Sequence, residues 1–262
     1  MKSTRGLLYS AAPWLGFLSL AAAWELVAAL KLLQPTVFPG PLLVIRSVVQ
    51  TLSFGQVLGD IGISLGRVFA GFVLGSLGGI VFGIVSGWYP RLGTALRTPI
   101  ELLRPVPPLA WIPLAIIWLG VGETSKVFVI GLGVFFPVFT NTYGGMLTIN
   151  PNIIRAGQTL GLRSVRLLLK VVAPMTLPDI ATGMRLGWSY GFGTMVAAEL
   201  IAANSGLGYL IMHGRELGLI GIIVFGIVLI GVLNLVTDLL IQELLFKRLL
   251  HWHFLGTSSQ KS

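Results

Sequence analysis

Runs of mostly apolar residues, each about twenty residues long, recur along this 262-residue chain and limit its fold more than any other feature. A run of that length is what an α-helix needs to cross a bilayer. Inside lipid, only helices and closed barrels satisfy every backbone polar group. We therefore predict an all-α membrane protein, a single domain over residues 1–262 with about six transmembrane helices, near residues 11–33, 62–88, 98–119, 127–147, 180–203 and 219–245.

The composition agrees with a membrane location. Hydrophobic residues make up 55% of the chain and charged residues only 10%, whereas soluble domains carry about 25% charged residues. A net charge of +9 suggests a nucleic-acid partner on a soluble protein, but this apolar chain is expected to meet membrane lipid and no nucleic acid. Because the sequence contains no cysteine, it has neither a disulfide framework nor a thiolate metal site.

The basic residues predict how the chain is oriented. Cytoplasmic loops of membrane proteins carry an excess of Lys and Arg. If both termini are cytoplasmic, most of the 18 lysines and arginines lie inside, and the outer set is Lys31, Arg46, Arg67, Lys126 and Arg215. The N- and C-termini are therefore predicted to face the cytoplasm of a bacterial inner (plasma) membrane.

The first apolar run has two interpretations. A signal peptide with a cleavage site at Ala21-Ala22-Ala23 would end there, but the run continues to about Leu33. Because that is longer than the apolar region of a signal peptide requires, we predict a retained span.

Glycine recurs every fourth residue in the second run, at Gly71, Gly75, Gly79, Gly83 and Gly87. This spacing places the five glycines on one helix face, where another backbone can approach closely. The face is either a packing seam between moving helices or against a second subunit, or a static contact inside one bundle, and the sequence does not separate the two.

Prolines interrupt the third run at Pro105, Pro107, Pro108 and Pro113. Proline removes an amide donor and bends a helix, and membranes tolerate such breaks where protein or water satisfies the freed carbonyls. The third span is therefore a candidate for lining a cavity, as are the polar residues Thr140, Asn141 and Thr142 of the fourth span.

Four of the charged residues within or beside the predicted spans are candidates for a specific role. Glu199 is a candidate either for a gate or helix-packing role or for contact with the translocation route, because carboxylates at membrane depth are costly. Glu25 is expected to pair with a backbone or helix partner. Arg67 and Arg104 are placed to attract an anion or to anchor a span end, and we favour the anchoring role.

Residues 150–179, between the fourth and fifth runs, form the longest hydrophilic stretch. Its pattern predicts a short amphipathic helix, a turn at Gly161, a second helix and a stop at Pro174. The basic residues of this stretch are Arg155, Arg163, Arg166 and Lys170. They would suffice to hold a cytoplasmic loop at anionic lipid, an alternative that requires no particular arrangement of Ala, Gly and Pro.

That arrangement resembles the cytoplasmic coupling loop of ABC importer permeases. The family's loop starts with Glu-Ala-Ala, has a glycine four residues after the second alanine and a proline thirteen residues later. Here Arg155-Ala156-Gly157 stands at the start, followed by Gly161 and Pro174 at the family's spacing. Arg155 replaces the glutamate, Gly157 replaces the second alanine, and Ala173 replaces a usual leucine.

The rest of the chain is similar to one branch of that family, the nitrate/sulfonate/taurine/bicarbonate permeases (binding-protein-dependent, MetI-like). The similar segments are residues 103–114, 118–126, 136–142, 197–200 and 205–208, so that the resemblance covers roughly Arg67 to Leu210.

The resemblance implies a type I ABC importer permease fold. It further implies a permease dimer, expected to be a homodimer, with two cytoplasmic ATP-binding cassette subunits and a periplasmic solute-binding protein. The implied ATPase-coupling residues are Arg155, Ala156, Gly157, Leu160, Gly161, Leu162 and Pro174. Candidate residues of the translocation path or gate are Arg104, Pro108, Trp111, Asn141 and Glu199. The small residues of the loop would let it lie close to the ATPase, so that Gly161→Trp is expected to uncouple transport.

The expected cargo is a small anion: nitrate or nitrite, bicarbonate, or an alkylsulfonate such as taurine. A vitamin precursor, such as a pyrimidine or riboflavin, is the alternative. The sequence has no G-x-x-x-x-G-K-[ST] motif, so ATP and Mg are expected on a separate ATPase chain and this chain is expected not to be an enzyme. A secondary transporter is less favoured, because no second interrupted span matches the proline-broken one.

Overall fold

The computed structural model describes residues 16, 19–30, 34 and 37–244, and this part of the chain contains helices but no strands. Its α-helices are α1 (Ser19–Ala29), α2 (Pro41–Thr51), α3 (Phe54–Trp88), α4 (Pro90–Leu103), α5 (Ile112–Leu119), α6 (Glu123–Leu147), α7 (Pro151–Thr159), α8 (Ser164–Leu167), α9 (Ala173–Ala202), α10 (Leu207–Glu216) and α11 (Ile220–Gln242). Both termini and the basic residues Lys2, Arg5, Lys31, Lys247, Arg248 and Lys261, on which the orientation prediction relied, lie outside the described residues.

The long helix α3 begins before the predicted start at residue 62, because Ser53 caps it. The Ser53 hydroxyl accepts a hydrogen bond from the Gln56 amide, and the Gln56 side chain accepts one from the Ser53 amide. This reciprocal pair satisfies two amides that a helix start leaves free. The amphipathic segment that precedes the span therefore divides into α2 and the first turns of α3.

The centre of the molecule is a layer of three helices in which α6 packs between α3 and α9. Their apolar core consists of Val68 and Phe72 from α3, Ile130, Val134 and Val138 from α6, and Trp188, Phe192 and Met195 from α9. The last helix, α11, contacts α2, α9 and α10, and few of its residues are buried. Exposed apolar surface of this kind is expected where a helix meets lipid or another subunit.

The predicted third span is not one straight helix. Its first residues belong to α4, and the chain turns by 91° between Leu103 and Pro108 before a 3-10 turn, Pro108–Trp111, leads into α5. Three of the four residues 105–108 are prolines, which cannot donate the amide bonds that would continue α4.

The predicted stop at Pro174 is wrong, because the chain stays helical from Ser164 to Ala202. A π-helical turn, Leu168–Val172, joins α8 to α9, and the Ala173 amide bonds the Leu168 carbonyl five residues back. Widening the turn in this way lets the helix pass a residue without an amide hydrogen.

Four described helices are long and apolar enough to cross a membrane: Phe54–Trp88, Glu123–Leu147, Ser164–Ala202 and Ile220–Gln242. The bent pair α4–α5 makes a fifth if it is counted as one span. The first predicted span, 11–33, is described only in part, as the short apolar helix α1. The prediction of an all-α membrane fold is confirmed.

Helix directions give the bundle two distinct ends. Helix α6 leads into the α7–α8 segment and α9 returns from it, while Gly87 at the end of α3 packs against Met146 near the end of α6. We call this the loop end. The starts of α3 and α6 and the end of α9 lie together at the opposite end, which we call the far end.

Candidate translocation path and coupling loop

Two adjoining cavities lie beside the bend between α4 and α5. The first, of about 350 Å³, is lined by Arg104, Pro108, Gly133, Phe136, Pro137, Thr140, Asn141, Leu186 and Tyr190. The second, of about 440 Å³, lies between the bend and α9 and shares Pro108 and Tyr190 with the first. The two therefore form one mostly apolar groove with a few polar groups, the composition typical of small-molecule sites.

The wall that α6 contributes is irregular because Pro137 lies inside the helix. Proline has no amide hydrogen, so residue 137 cannot donate the helical hydrogen bond to the carbonyl of Gly133, a residue that lines the first cavity. The Asn141 side chain donates a 2.9 Å hydrogen bond to the Pro137 carbonyl. Pro137 therefore interrupts the regular hydrogen bonding of α6 beside the cavity.

The predicted path residues divide into two groups. Arg104, Pro108 and Asn141 line the first cavity, whereas Trp111 and Glu199 line neither cavity. The Trp111 ring packs against a small core cluster that includes Ile112, and its indole N–H has no hydrogen-bond partner among the described residues.

Glu199 lies in a buried cluster of charges at the far end and is only 1% exposed. Its carboxylate accepts hydrogen bonds from the Ser64 hydroxyl at 2.8 Å, from Arg67 Nη1 at 2.6 Å and from the Gly208 amide at 2.8 Å. The last contact places the carboxylate at the start of α10, where free amides and the helix dipole favour a negative charge. This placement favours the helix-packing role over contact with the translocation route.

The same cluster continues to the start of α6. Arg67 binds the Glu123 carboxylate with two nitrogens, at 2.5 and 2.6 Å, and Lys126 Nζ reaches Glu123 at 3.0 Å. Arg67 also donates to the Ser205 carbonyl at 2.8 Å. The charges of Arg67 and Lys126 thus balance those of Glu123 and Glu199. The hydrogen bonds of the cluster connect α3, α6, α9 and the start of α10. We refer to it as the far-end charge cluster.

Sequence reasoning found Arg67 and Glu199 but not their pairing. Ser64 was not predicted to take part, and Glu123 and Lys126 were named without a link to Arg67, because residues that meet in space are far apart in the chain. In the segment Ser205-Gly206-Leu207-Gly208, the structure explains the glycine at position 206. Its φ is +108°, and an added Cβ would approach the Glu199 carboxylate. Within the described residues, no group of three His, Cys, Asp or Glu side chains is placed to bind a metal ion.

The five regularly spaced glycines of α3 face α6 of the same chain. A Cβ added at any of them would come within 3 Å of α6 atoms, for example Ile130 at Gly71, Thr142 at Gly83 and Met146 at Gly87. In this structure they are an intramolecular packing face.

Helix α9 repeats the pattern, a feature that the sequence analysis missed. Gly183, Gly187 and Gly191 are also four residues apart, and Cβ atoms added there would meet Val134, Val138 or Asn141 of α6. The central helix α6 is therefore held between two glycine faces, which allows close approach of all three backbones. Because the spacing is the same as in α3, this second glycine face could have been predicted from the sequence.

The segment between α6 and α9 has the predicted helix-turn-helix form. Asn150 caps α7, and the chain reverses at Gly161, whose φ of +81° is the left-handed region that favours glycine. Gly157 is buried, and an added Cβ would lie 2.5 Å from Leu167 Cδ1 of the same chain. Contacts within this chain therefore explain the glycine at position 157, and the backbone conformation explains the glycine at position 161.

The outer surface of this loop combines exposed apolar side chains, among them Leu160, Val165 and Leu169, with several cations. Leu160 is 82% exposed, and Arg155, Arg163, Arg166 and Lys170 are also exposed. Ala156 lies on the exposed surface as well, whereas Leu162 is half-buried. Pro174 lies at the start of α9 and is exposed.

Known proteins share both the sequence and the fold. The taurine transport system permease TauC of Escherichia coli (strain K12) is 39% identical over 203 residues, which cover 75% of this chain and 74% of the relative. The putative aliphatic sulfonates transport permease SsuC of Bacillus subtilis (strain 168) is 34% identical over 209 residues, covering 78% and 76%. A solved structure of the inward-facing MetNI methionine ABC transporter matches with a TM-score of 0.56 at 19% identity, covering 83% of this chain and 98% of that one.

The family described as "Binding-protein-dependent transport system inner membrane component" matches residues 79–251, about two thirds of the chain. The match includes the cavities, the glycine face of α9 and the α7–α8 loop. The chain therefore belongs to this family and is an inner-membrane permease subunit of an ABC importer, as the sequence predicts.

Proposed function

We propose that two copies of this chain form the membrane path of an importer for a small anion, driven by ATP hydrolysis on separate ATPase chains that also hold the ATP and Mg. The observation that carries this proposal is the α7–α8 loop. It projects an exposed leucine among exposed cations at one end of the bundle, opposite the far-end charge cluster.

The loop surface suits a protein partner better than a lipid surface. Attachment to anionic lipid requires cations alone, whereas this loop also exposes Leu160, Val165 and Leu169, which a protein partner can cover. Leu160 follows directly on α7 and precedes the fixed turn at Gly161, so its position is set by the backbone. A rigid contact of this kind can transmit movement from an ATPase to α9 through α8 and the π-helical turn.

The loop geometry changes the reason given for two glycines. The resemblance implies that the small residues Ala156, Gly157 and Gly161 let the loop lie close to the ATPase. Gly157 instead packs against Leu167, and Gly161 adopts a left-handed conformation. Gly161→Trp would therefore disturb the loop itself, and Leu160 gives a cleaner test of docking.

A small anion fits both the relatives and the groove. The relatives are named for taurine and aliphatic sulfonates, which carry a sulfonate group. The groove carries the Arg104 guanidinium and no carboxylate among its lining residues. The groove opens along one side of a single chain, so a second copy facing it would close a path, which supports a homodimer.

The experiment compares two exposed leucines at opposite ends of the bundle. Leu160 is 82% exposed at the loop end, and Leu217, between α10 and α11 at the far end, is 52% exposed. The chain is co-expressed with its ATPase and purified by a tag on the permease. We expect Leu160→Asp to lose most of the co-purified ATPase and its ATP-driven uptake, and Leu217→Asp to retain the ATPase.

Retention of the ATPase at the wild-type level in Leu160→Asp would contradict the docking role of the loop. Loss of the ATPase in both variants would point to a general defect in folding, which size-exclusion chromatography of the purified permease distinguishes.

A further inference from the structure

We propose that Arg104 is the anion-binding group of a substrate subsite in the first cavity, and that this subsite accepts an organic oxyanion with a short apolar body. The inference rests on the proposed importer function and adds the chemical class of the cargo and the residue that binds it.

The first step concerns the state of the arginine. Arg104 is exposed and lines the first cavity beside the bend after α4, and among the described residues no hydrogen bond or ion pair engages its guanidinium. The far-end charge cluster shows the opposite case, in which Arg67 meets two carboxylates and a carbonyl. An arginine that lines a cavity without a counter-ion has its donors available for an oxyanion, which its planar fork binds with two parallel hydrogen bonds.

The second step concerns the rest of the wall. Beside Arg104 lie the apolar side chains of Pro108, Phe136 and Leu186, and these outweigh the polar groups. A volume of about 350 Å³ falls at the lower end of the range for organic ligands, which is about 300–1,000 Å³. A bare inorganic anion would leave most of this apolar wall without contacts, whereas a short carbon chain would cover it.

The third step concerns orientation. Asn141 uses its amide nitrogen on the Pro137 carbonyl, and its side-chain oxygen accepts no hydrogen bond from the described residues. Because Asn141 lines the first cavity, this oxygen is an acceptor available beside it, distinct from the Arg104 donors. The cavity therefore distinguishes the two ends of a bound molecule.

The test uses the complete transporter, with its ATPase and binding protein, in proteoliposomes, and three radiolabelled probes: taurine, 1-propanesulfonate and nitrate. We expect wild-type uptake of at least one of the two sulfonates, lowered about tenfold or more in Arg104→Gln, because charge-assisted hydrogen bonds contribute strongly to binding. Arg104→Lys should restore part of the uptake. The matched control is Arg91→Gln at the start of α4, since Arg91 is exposed like Arg104 but lines neither cavity.

The amount of anion imported per ATP hydrolysed separates a binding role of Arg104 from a structural one. In Arg104→Gln, binding-protein-stimulated ATP hydrolysis should persist while the amount of anion imported per ATP falls. An uptake by Arg104→Gln equal to that of Arg91→Gln would overturn the inference, and so would wild-type uptake of nitrate alone. If the wild-type complex imports none of the three probes, the small-anion proposal itself fails and the subsite with it.

Discussion

Arg67 and Arg104 look alike in the sequence, since each lies next to an apolar run and each is followed or preceded by small or helix-breaking residues. The fold treats them in opposite ways. Arg67 is enclosed at the far end and saturated by Glu123, Glu199 and Ser205. Arg104 lines an open cavity and has no acceptor among the described residues. An arginine near a membrane is therefore assigned a role by the acceptors that the fold brings to it.

This difference separates two kinds of region. The far-end charge cluster is closed because its charges pair with one another within the described residues, and the glycine faces are closed because α6 covers them. The groove and the loop are open, because their groups face space that another molecule can occupy. Substitutions in closed regions should change stability, and substitutions in open regions should change transport while the fold is retained.

The largest stability effect is expected for Glu199→Gln. Its carboxylate is fully enclosed and bonds Ser64, Arg67 and the Gly208 amide. Removing one member of a buried ion pair typically costs about 3–5 kcal/mol, because the remaining charge stays buried without its counter-ion. We expect a loss near the lower end, since Arg67 keeps Glu123. Thermal unfolding of the detergent-solubilised permease measures it as a lowered midpoint.

Two controls sharpen the comparison of the arginines. The Glu123 side chain is 61% exposed, so Glu123→Gln should cost clearly less than Glu199→Gln. Arg104→Gln should leave the unfolding midpoint close to the wild-type value, because the structure gives Arg104 no partner to lose among the described residues. A midpoint for Arg104→Gln as low as that for Glu199→Gln would remove the distinction between closed and open regions.

An intermediate effect is expected on the glycine face of α3. Gly75→Ala would place a methyl group within 3 Å of Gly131 and Val134 of α6, and overpacking of this kind costs about 1–3 kcal/mol. Gly66 lies on the same helix with no described atom within 4 Å of an added Cβ. Because alanine favours helices over glycine, Gly66→Ala should be neutral or stabilising. If Gly75→Ala and Gly66→Ala had the same unfolding midpoint, α3 and α6 would not be in close contact at Gly75.

The long apolar runs predicted the main helices because bilayer thickness sets their length directly. Finer features depended on local chemistry. The capping box at Ser53 moved the start of α3, and the π-helical turn before Pro174 carried the chain past an expected stop. Ser53 and Pro174 are visible in the sequence. Whether a helix begins or ends at them depends on the conformation of the neighbouring turns, which the sequence does not show.

The site was harder to predict than the fold, because its parts come together from distant segments. Arg67 and Glu199 are 132 positions apart in the chain, and nothing local to either residue identifies the other. Arg104, Pro108 and Asn141 were found as path candidates from polarity, prolines and resemblance. Tyr190 and Leu186, which complete the wall, resemble any other residues of an apolar helix.

The smallest effect is expected for the ion pair between α9 and α11. Arg185 donates to Asp238 at 3.1 Å, and the Arg185 side chain is 40% exposed. Exposed pairs contribute about 0.2–1 kcal/mol, because water and salt screen them and the long side chain loses freedom in forming them. Arg185→Gln should therefore lower the unfolding midpoint only slightly, and less so as salt is raised.

A loss for Arg185→Gln that equals the loss for Glu199→Gln would mean that exposure does not govern the strength of charge pairs in this bundle. The matched double variant, Arg185→Gln with Asp238→Asn, tests the origin of any loss, because a pair that acts only through mutual attraction should lose nothing further when the second partner is neutralised. The contrast between Arg67 and Arg185 would then rest on burial alone, since both arginines bind carboxylates on other helices and differ chiefly in how deeply the protein encloses them.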